Sequence, residues 1–178
     1  MDYWDSLGWP DRFDDPRYTE RQRLLAARTA RDIVYTPEVS LDGREWSDWE
    51  RAAMPANEPS AWQLELRVDP QNPLHAELLS RGGSTADRQA FRAYFVVTED
   101  GLSSAVRAGE NHGAVLHHDH TVRAFAGPLP LDRATATLSV PTGVDPSKSE
   151  VVAFLQNPVT GVVAQVVRQS LLQCKEEK

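Results

Sequence analysis

The chain has 178 residues, 40% of them hydrophobic, enough for one packed domain with or without a smaller appended piece. Its net charge of -7, from 19 Lys and Arg against 26 Asp and Glu, repels phosphate backbones and anionic lipid and so argues against a nucleic-acid or membrane-surface role. Apolar runs are far shorter than the roughly 20 residues of a spanning helix, no export signal is expected at Met1-Asp-Tyr-Trp-Asp5, and one cysteine, Cys174, leaves no internal disulfide, C-x-x-C pair or cysteine-based zinc site.

Residues 1 to 18 mix large anchors, among them Trp4, Trp9, Phe13 and Tyr18, with turn-forming aspartates and no clear period. The segment reads as an irregular loop held down by its aromatics, or as a stacking platform for a ring or sugar. Thr19 and Gln22 resemble a capping box, which predicts a helix from about Glu20 to Arg31 with a thin apolar side of Leu24, Leu25, Ala27 and Ala30. An extended segment from Ile33 should place Val39 and Leu41 on one face and end in the Asp42-Gly43 turn. Ser47 and Glu50 form a second candidate capping box, predicting a short helix over 48 to 54 that presents Trp49. The prolines of Met54-Pro-Ala-Asn-Glu-Pro-Ser60 then mark a linker between residues 1–57 and 58–178.

Beyond the linker the period is two. Trp62, Leu64, Leu66 and Val68 alternate with polar residues up to an Asp69 to Pro73 turn, and a weaker strand follows at 74 to 79. Ser80 to Arg88 reads as a polar loop, and Phe91 to Thr98, apolar on both faces, as a central strand. Further strands are expected near 102–107, 116–125, 134–140, 150–156 and 162–169, the last two joined antiparallel through Asn157-Pro-Val-Thr-Gly161. The expected fold is α+β: a short α/β segment followed by an antiparallel β-sandwich.

The stretch from Ala108 to Pro128 concentrates turn residues and four of the five histidines. If 116–125 is one strand, His118 and His120 share a face and could hold zinc with a third ligand from Glu110 or His112. Ser103 or Ser104 with His118 and Asp119 lacks the context of a nucleophile elbow. The structural alternative is a corner in which Gly109 and Gly113 supply positive φ, Asn111 bonds its own backbone, and Arg123 reaches back to Glu110. The binding candidates are thus Glu110, Asn111, His118, His120 and Arg123; no cofactor is called for, and the partner is an unidentified protein or small molecule.

Two blocks resemble a family of bacterial proteins of unknown function, described as predicted secreted proteins with a thioredoxin-like fold and with plant relatives. The first is Asp2-Tyr-Trp-Asp-Ser-Leu-Gly-Trp9 with Tyr18-Thr-Glu-Arg-Gln-Arg23, Val34-Tyr-Thr-Pro-Glu-Val39 and Asp42-Gly43; the second is Gly109-Glu-Asn-His-Gly113 with Leu116 and Val122-Arg123. The resemblance implies that residues 1–57 are a thioredoxin-like segment, that Thr36-Pro37 is its cis-proline turn, and that full-length relatives are periplasmic or secreted. It also implies a strand, a C-x-x-C motif and a helix ahead of Asp2, a part this chain is expected to lack. Arg44-Glu-Trp46, His118 and His120 depart from the family pattern. Two functions follow as expectations: a noncatalytic binding or interaction protein, or a thiol-disulfide oxidoreductase whose redox part is missing here.

Overall fold

The computed structural model describes residues 10–28, 33–56, 59–71, 74–108 and 112–172. In chain order its elements are helix α1 (Pro16–Ala26), strands β1 (Ser40–Leu41), β2 (Arg44–Glu45), β3 (Trp62–Asp69) and β4 (Leu74–Gly82), helix α2 (Thr85–Ala90), and strands β5 (Arg92–Glu99), β6 (Leu102–Ala105), β7 (Val115–His118), β8 (Thr121–Leu129), β9 (Thr135–Leu138), β10 (Ser149–Gln156) and β11 (Val163–Ser170). A four-stranded sheet has the order β11-β10-β5-β8 and a three-stranded sheet the order β3-β4-β9; β1-β2 and β6-β7 are separate pairs. Every pairing is antiparallel, so the molecule is a sheet-rich α+β protein.

Helix α1 starts four residues earlier than its sequence predicts. Asp15 is extended (φ -154°) and its carboxylate accepts the Arg17 amide at 2.9 Å, while Pro16, which has no N–H to satisfy, opens the first turn. That cap supersedes Thr19, which is buried inside the helix. The helix ends at Ala26, short of Arg31, and residues 29–32 lie outside the described residues. The Asp42-Gly43 turn is present, with φ of +50° and +77° at its two residues, values that match the right-handed twist of a two-residue hairpin. The strands around it are only two residues each, and 33–39 is irregular with a cis Thr36-Pro37 bond. Ser47 and Glu50 do not start a helix; the segment turns instead, with Arg51 and Ala52 donating to the Asp48 carbonyl.

The alternation at Trp62 to Val68 builds β3, and β4 runs on to Gly82, longer than the 74–79 reading, because it pairs with β3 from Asp69↔His75 through to Trp62↔Gly82. The polar loop after it contains α2, whose capping box uses Ser84 and Asp87 in place of the usual Glu or Gln. Strand β5 is buried from Ala93 to Glu99. Its Ala93, Phe95 and Val97 join Val151, Ala153 and Leu155 of β10 against Leu74, Ala76 and Leu78 of β4, so the two larger sheets share one apolar cluster. Its Tyr94 faces the other way and stacks on Phe154 (5.2 Å, 8°) beneath α1. The expected hairpin at Asn157–Gly161 joins β10 to β11 with a bulge at Leu155/Gln156. Gly43 packs directly on this turn: a Cβ there would stand 1.9 Å from the Gly161 carbonyl oxygen, and the Val163 amide donates to the Asp42 carbonyl.

Candidate functional site

The predicted strand 116–125 is two strands. Asp119 and His120 form the turn between β7 and β8, with His120 at φ +52°, because β5 and β6 bend at the facing Asp100-Gly101 turn. The two turns clasp each other: Gly101 donates to Asp119 Oδ1 (2.9 Å) and the His120 amide to Asp100 Oδ1 (2.6 Å). The break removes the alternation that would have put His118 and His120 on one face. His118 Nε2 meets Ser104 Oγ at 3.0 Å and its ring lies edge-on to Phe13, whereas His120 Nδ1 turns to Asp100 Oδ1 at 3.2 Å and lies 4.0 Å from Glu150. Among the described residues no three His, Cys, Asp or Glu side chains converge as metal ligands. Asp119 is engaged by the Gly101 amide, so among the described residues Ser104 and His118 meet without the acid that a triad requires.

Arg123 bonds Glu99 of β5; its expected partner Glu110 lies outside the described residues. The β5–β8 register sets Glu99 opposite Thr121 and Thr98 opposite Val122, so Glu99, one residue past the strand expected at 91–98, is a buried strand end within reach of the guanidinium. Glu99 Oε1 also accepts the Asp145 amide at 2.8 Å, and Phe13 covers Arg123 at 5.2 Å. This cluster ties the N-terminal segment, the four-stranded sheet and the 145 turn together. Glu110 and Asn111 lie outside the described residues, as do residues 1–9 and Cys174; Gly113 has the positive φ (+88°) expected of it.

A second constellation, missed in the sequence, gathers around Arg21. Helix α1 docks on the outer face of the four-stranded sheet by a polar side, with Thr19, Gln22 and Ala26 buried and Leu24 54% exposed. Gln22 ties the cis turn to the helix, donating to the Tyr35 carbonyl (3.2 Å) and to Glu38 (3.3 Å). The Arg21 guanidinium lies over three rings, at 4.8 Å from Tyr94, 5.3 Å from Phe125 and 5.9 Å from Phe154. It donates to Gln156 Oε1 at 2.6 Å. Gln156 is itself buried, and its amide nitrogen donates to the Gly161 carbonyl at 2.6 Å, which turns the oxygen toward Arg21. Burial lowers the Arg21 pKa from its ordinary value, because a guanidinium drawn under aromatic rings loses hydration. Among the described residues Arg21 has no carboxylate partner, nor do Arg23 and Arg28.

Arg21 and Arg28 stand between two clefts. On the β1–β2 side a cleft of about 560 Å³ carries three arginines and three carboxylates. On the β8 side a cleft of about 970 Å³ carries, among the described residues, four arginines and a single glutamate, with Leu24, Phe125, Pro128 and Pro158 among its walls. A signal for this site was present: Arg17, Arg21 and Arg28 recur on one helical face, and Tyr94, Phe125 and Phe154 occupy non-core positions of strands. The sequence could not show that the two sets meet.

Fold and clefts together define a sheet-rich α+β protein with an arginine-lined groove under its N-terminal helix. The chain belongs to the family described as Protein of unknown function (DUF1223), whose model matches residues 1–156. Among solved structures it is similar to HBP35 of Porphyromonas gingivalis, with a TM-score of 0.59 and 13% identity, a likeness of fold. That match covers 89% of this chain and 59% of the other, so the chain spans less than two thirds of the solved protein's length. A search of curated proteins found no match. Among the described residues no helix is long and apolar enough to cross a membrane.

Proposed function

We infer that this chain is a noncatalytic binding or interaction protein whose site is the outer face of the four-stranded sheet under α1. One observation carries the reading: Arg21 is held over Tyr94, Phe125 and Phe154 by a locked Gln156, faces open clefts on both sides, and has no carboxylate partner among the described residues. A partly desolvated cation fixed in place without a counter-charge is costly to the fold alone, and a ligand that supplies the missing charge offsets that cost.

In this reading residues 1–57 are a thioredoxin-like segment laid on a β-sandwich of residues 58–178, in a family of secreted proteins. The division is supported by the shared apolar cluster, whose buried members run from Trp62 to Leu171 and include none of the described residues of the N-terminal segment. The test is an amide-resolved NMR screen of the full chain against a mixed library of small acids, bases and neutral aromatics. Shifts gathering at Arg21, Leu24 and Phe125 support the site; a library whose hits all map to other surfaces refutes it.

A further inference from the structure

We propose that the cleft between α1 and β8 binds an organic monocarboxylate with an aromatic or aliphatic body, its carboxylate held by Arg21 and Arg28 and its body laid on Leu24, Phe125 and Pro128. This rests on the binding reading above and names the ligand class for the same site.

Charge selects the cleft and the sign. The chain as a whole carries -7, yet this groove sets four arginines against one glutamate, while the cleft on the other side of Arg21 is balanced at three and three. Of the four, Arg17 is already paired with Asp15 at 2.6 Å, which leaves Arg21, Arg23 and Arg28 for a ligand. Among the described residues, an anion in the β1–β2 cleft would meet Glu38, Asp42 and Glu45, and in the β8 cleft Glu20 alone.

The donors select a carboxylate. A guanidinium has five N–H groups in a planar fork, and a carboxylate matches two of them side by side. One Nη2 donor of Arg21 is taken by Gln156 and one of Arg28 by the Pro158 carbonyl, so both forks are fixed while retaining donors. An arginine fork matches phosphate as well as carboxylate, so the surroundings decide: phosphate sites commonly add clustered backbone amides at helix N-termini and nests. Here the donors are two side chains, Arg21 standing on aromatic faces and Arg28 held by the Pro158 carbonyl, beside Leu24, Pro128 and Pro158, and a strongly hydrated dianion finds too few groups to replace its water. A monoanion with an apolar body satisfies the forks and covers the walls, and a volume of about 970 Å³ accommodates a ligand the size of a bicyclic acid or a short peptide ending in a free carboxylate.

The experiment is calorimetric titration of the full chain with 2-naphthoate, its neutral carboxamide, inorganic phosphate, and a tripeptide Ala-Ala-Phe with free or amidated C-terminus. Arg21→Gln, Arg21→Lys and Arg28→Gln are the variants, with Arg81→Gln as a distant control and melting curves as the check on folding. The expected result is one-site binding of 2-naphthoate, at least tenfold weaker for the carboxamide, and at least tenfold weaker in Arg21→Lys, where the fork is lost but the charge kept. Arg28→Gln should weaken binding even if the Arg21 variants fail to fold. Preference for the free over the amidated tripeptide identifies a peptide C-terminus as the natural source, and preference for naphthoate alone a small acid; either supports the carboxylate class. Equal binding of acid and carboxamide that still depends on Arg28 overturns the carboxylate assignment and leaves the binding site standing. Phosphate binding tighter than naphthoate does the same. Absence of binding by every probe overturns the inference, and binding of any probe that ignores both arginines overturns the site as well.

Discussion

Replacing Arg123 with leucine should destabilise the protein far more than losing a surface ion pair. The two side chains are 15% and 3% exposed, and among the described residues the Glu99 carboxylate would keep only the Asp145 amide as a partner. Leaving a buried charge unpaired costs about 3–5 kcal/mol, against about 0–1 kcal/mol for an exposed pair. For a chain of this length that corresponds to a drop of roughly 6–20 °C in melting temperature. Glu99→Leu should cost a comparable amount, and the double variant less than the sum, because neither charge is then stranded. Urea denaturation of the four proteins measures each term and the coupling. A loss below about 1 kcal/mol for Arg123→Leu, with additive double-variant behaviour, would show that the pair is solvated and would refute the argument from burial.

Other outcomes follow from particular contacts. Gly43→Ala should lose at least about 1–2 kcal/mol from its left-handed backbone alone, and more from the clash with the Gly161 carbonyl, read as a lower urea midpoint with the β1–β2 amides exchanging faster. Leu155→Ala, in a fully buried position between the two larger sheets, should cost about 2–5 kcal/mol by calorimetry. Asp15 has its carboxyl pKa lowered, first by the hydrogen bond from Arg17, so its contribution is present above the unfolded value near 3.8 and is lost as pH falls through the lower folded value. Asp15→Asn keeps the cap and removes the charge, so its melting temperature should trail the parent at pH 7 and converge with it below about pH 4. Asp119→Ala should shift the amide resonances of Gly101 more than those of His118, since Asp119 serves the turn clasp and not the imidazole.

Local chemistry alone determined much of the chain. Period-two alternation locates β3, the two-sided apolar run locates β5, and Asp42-Gly43 and Asn157–Gly161 specify hairpins, because these signals depend on side-chain direction and on backbone wells each residue carries with it. The capping-box pattern places the N-terminus of α1 at Thr19, whereas Asp15 and Pro16 set it; only the docked helix, burying Thr19, separates the two. Tertiary structure decided what depends on partners far along the chain. His118 and His120 read as one face until the Asp100-Gly101 turn, clasped by Asp119, breaks the strand between them. Arg123 found Glu99 because strand register, a cooperative property of the whole sheet, set them side by side. The same applies to Arg21. Its ring partners and its Gln156 bond lie 73 to 135 residues away and come together only when β5, β8 and β10 align beneath α1, since no periodicity within a helix can report which strands its polar face will meet.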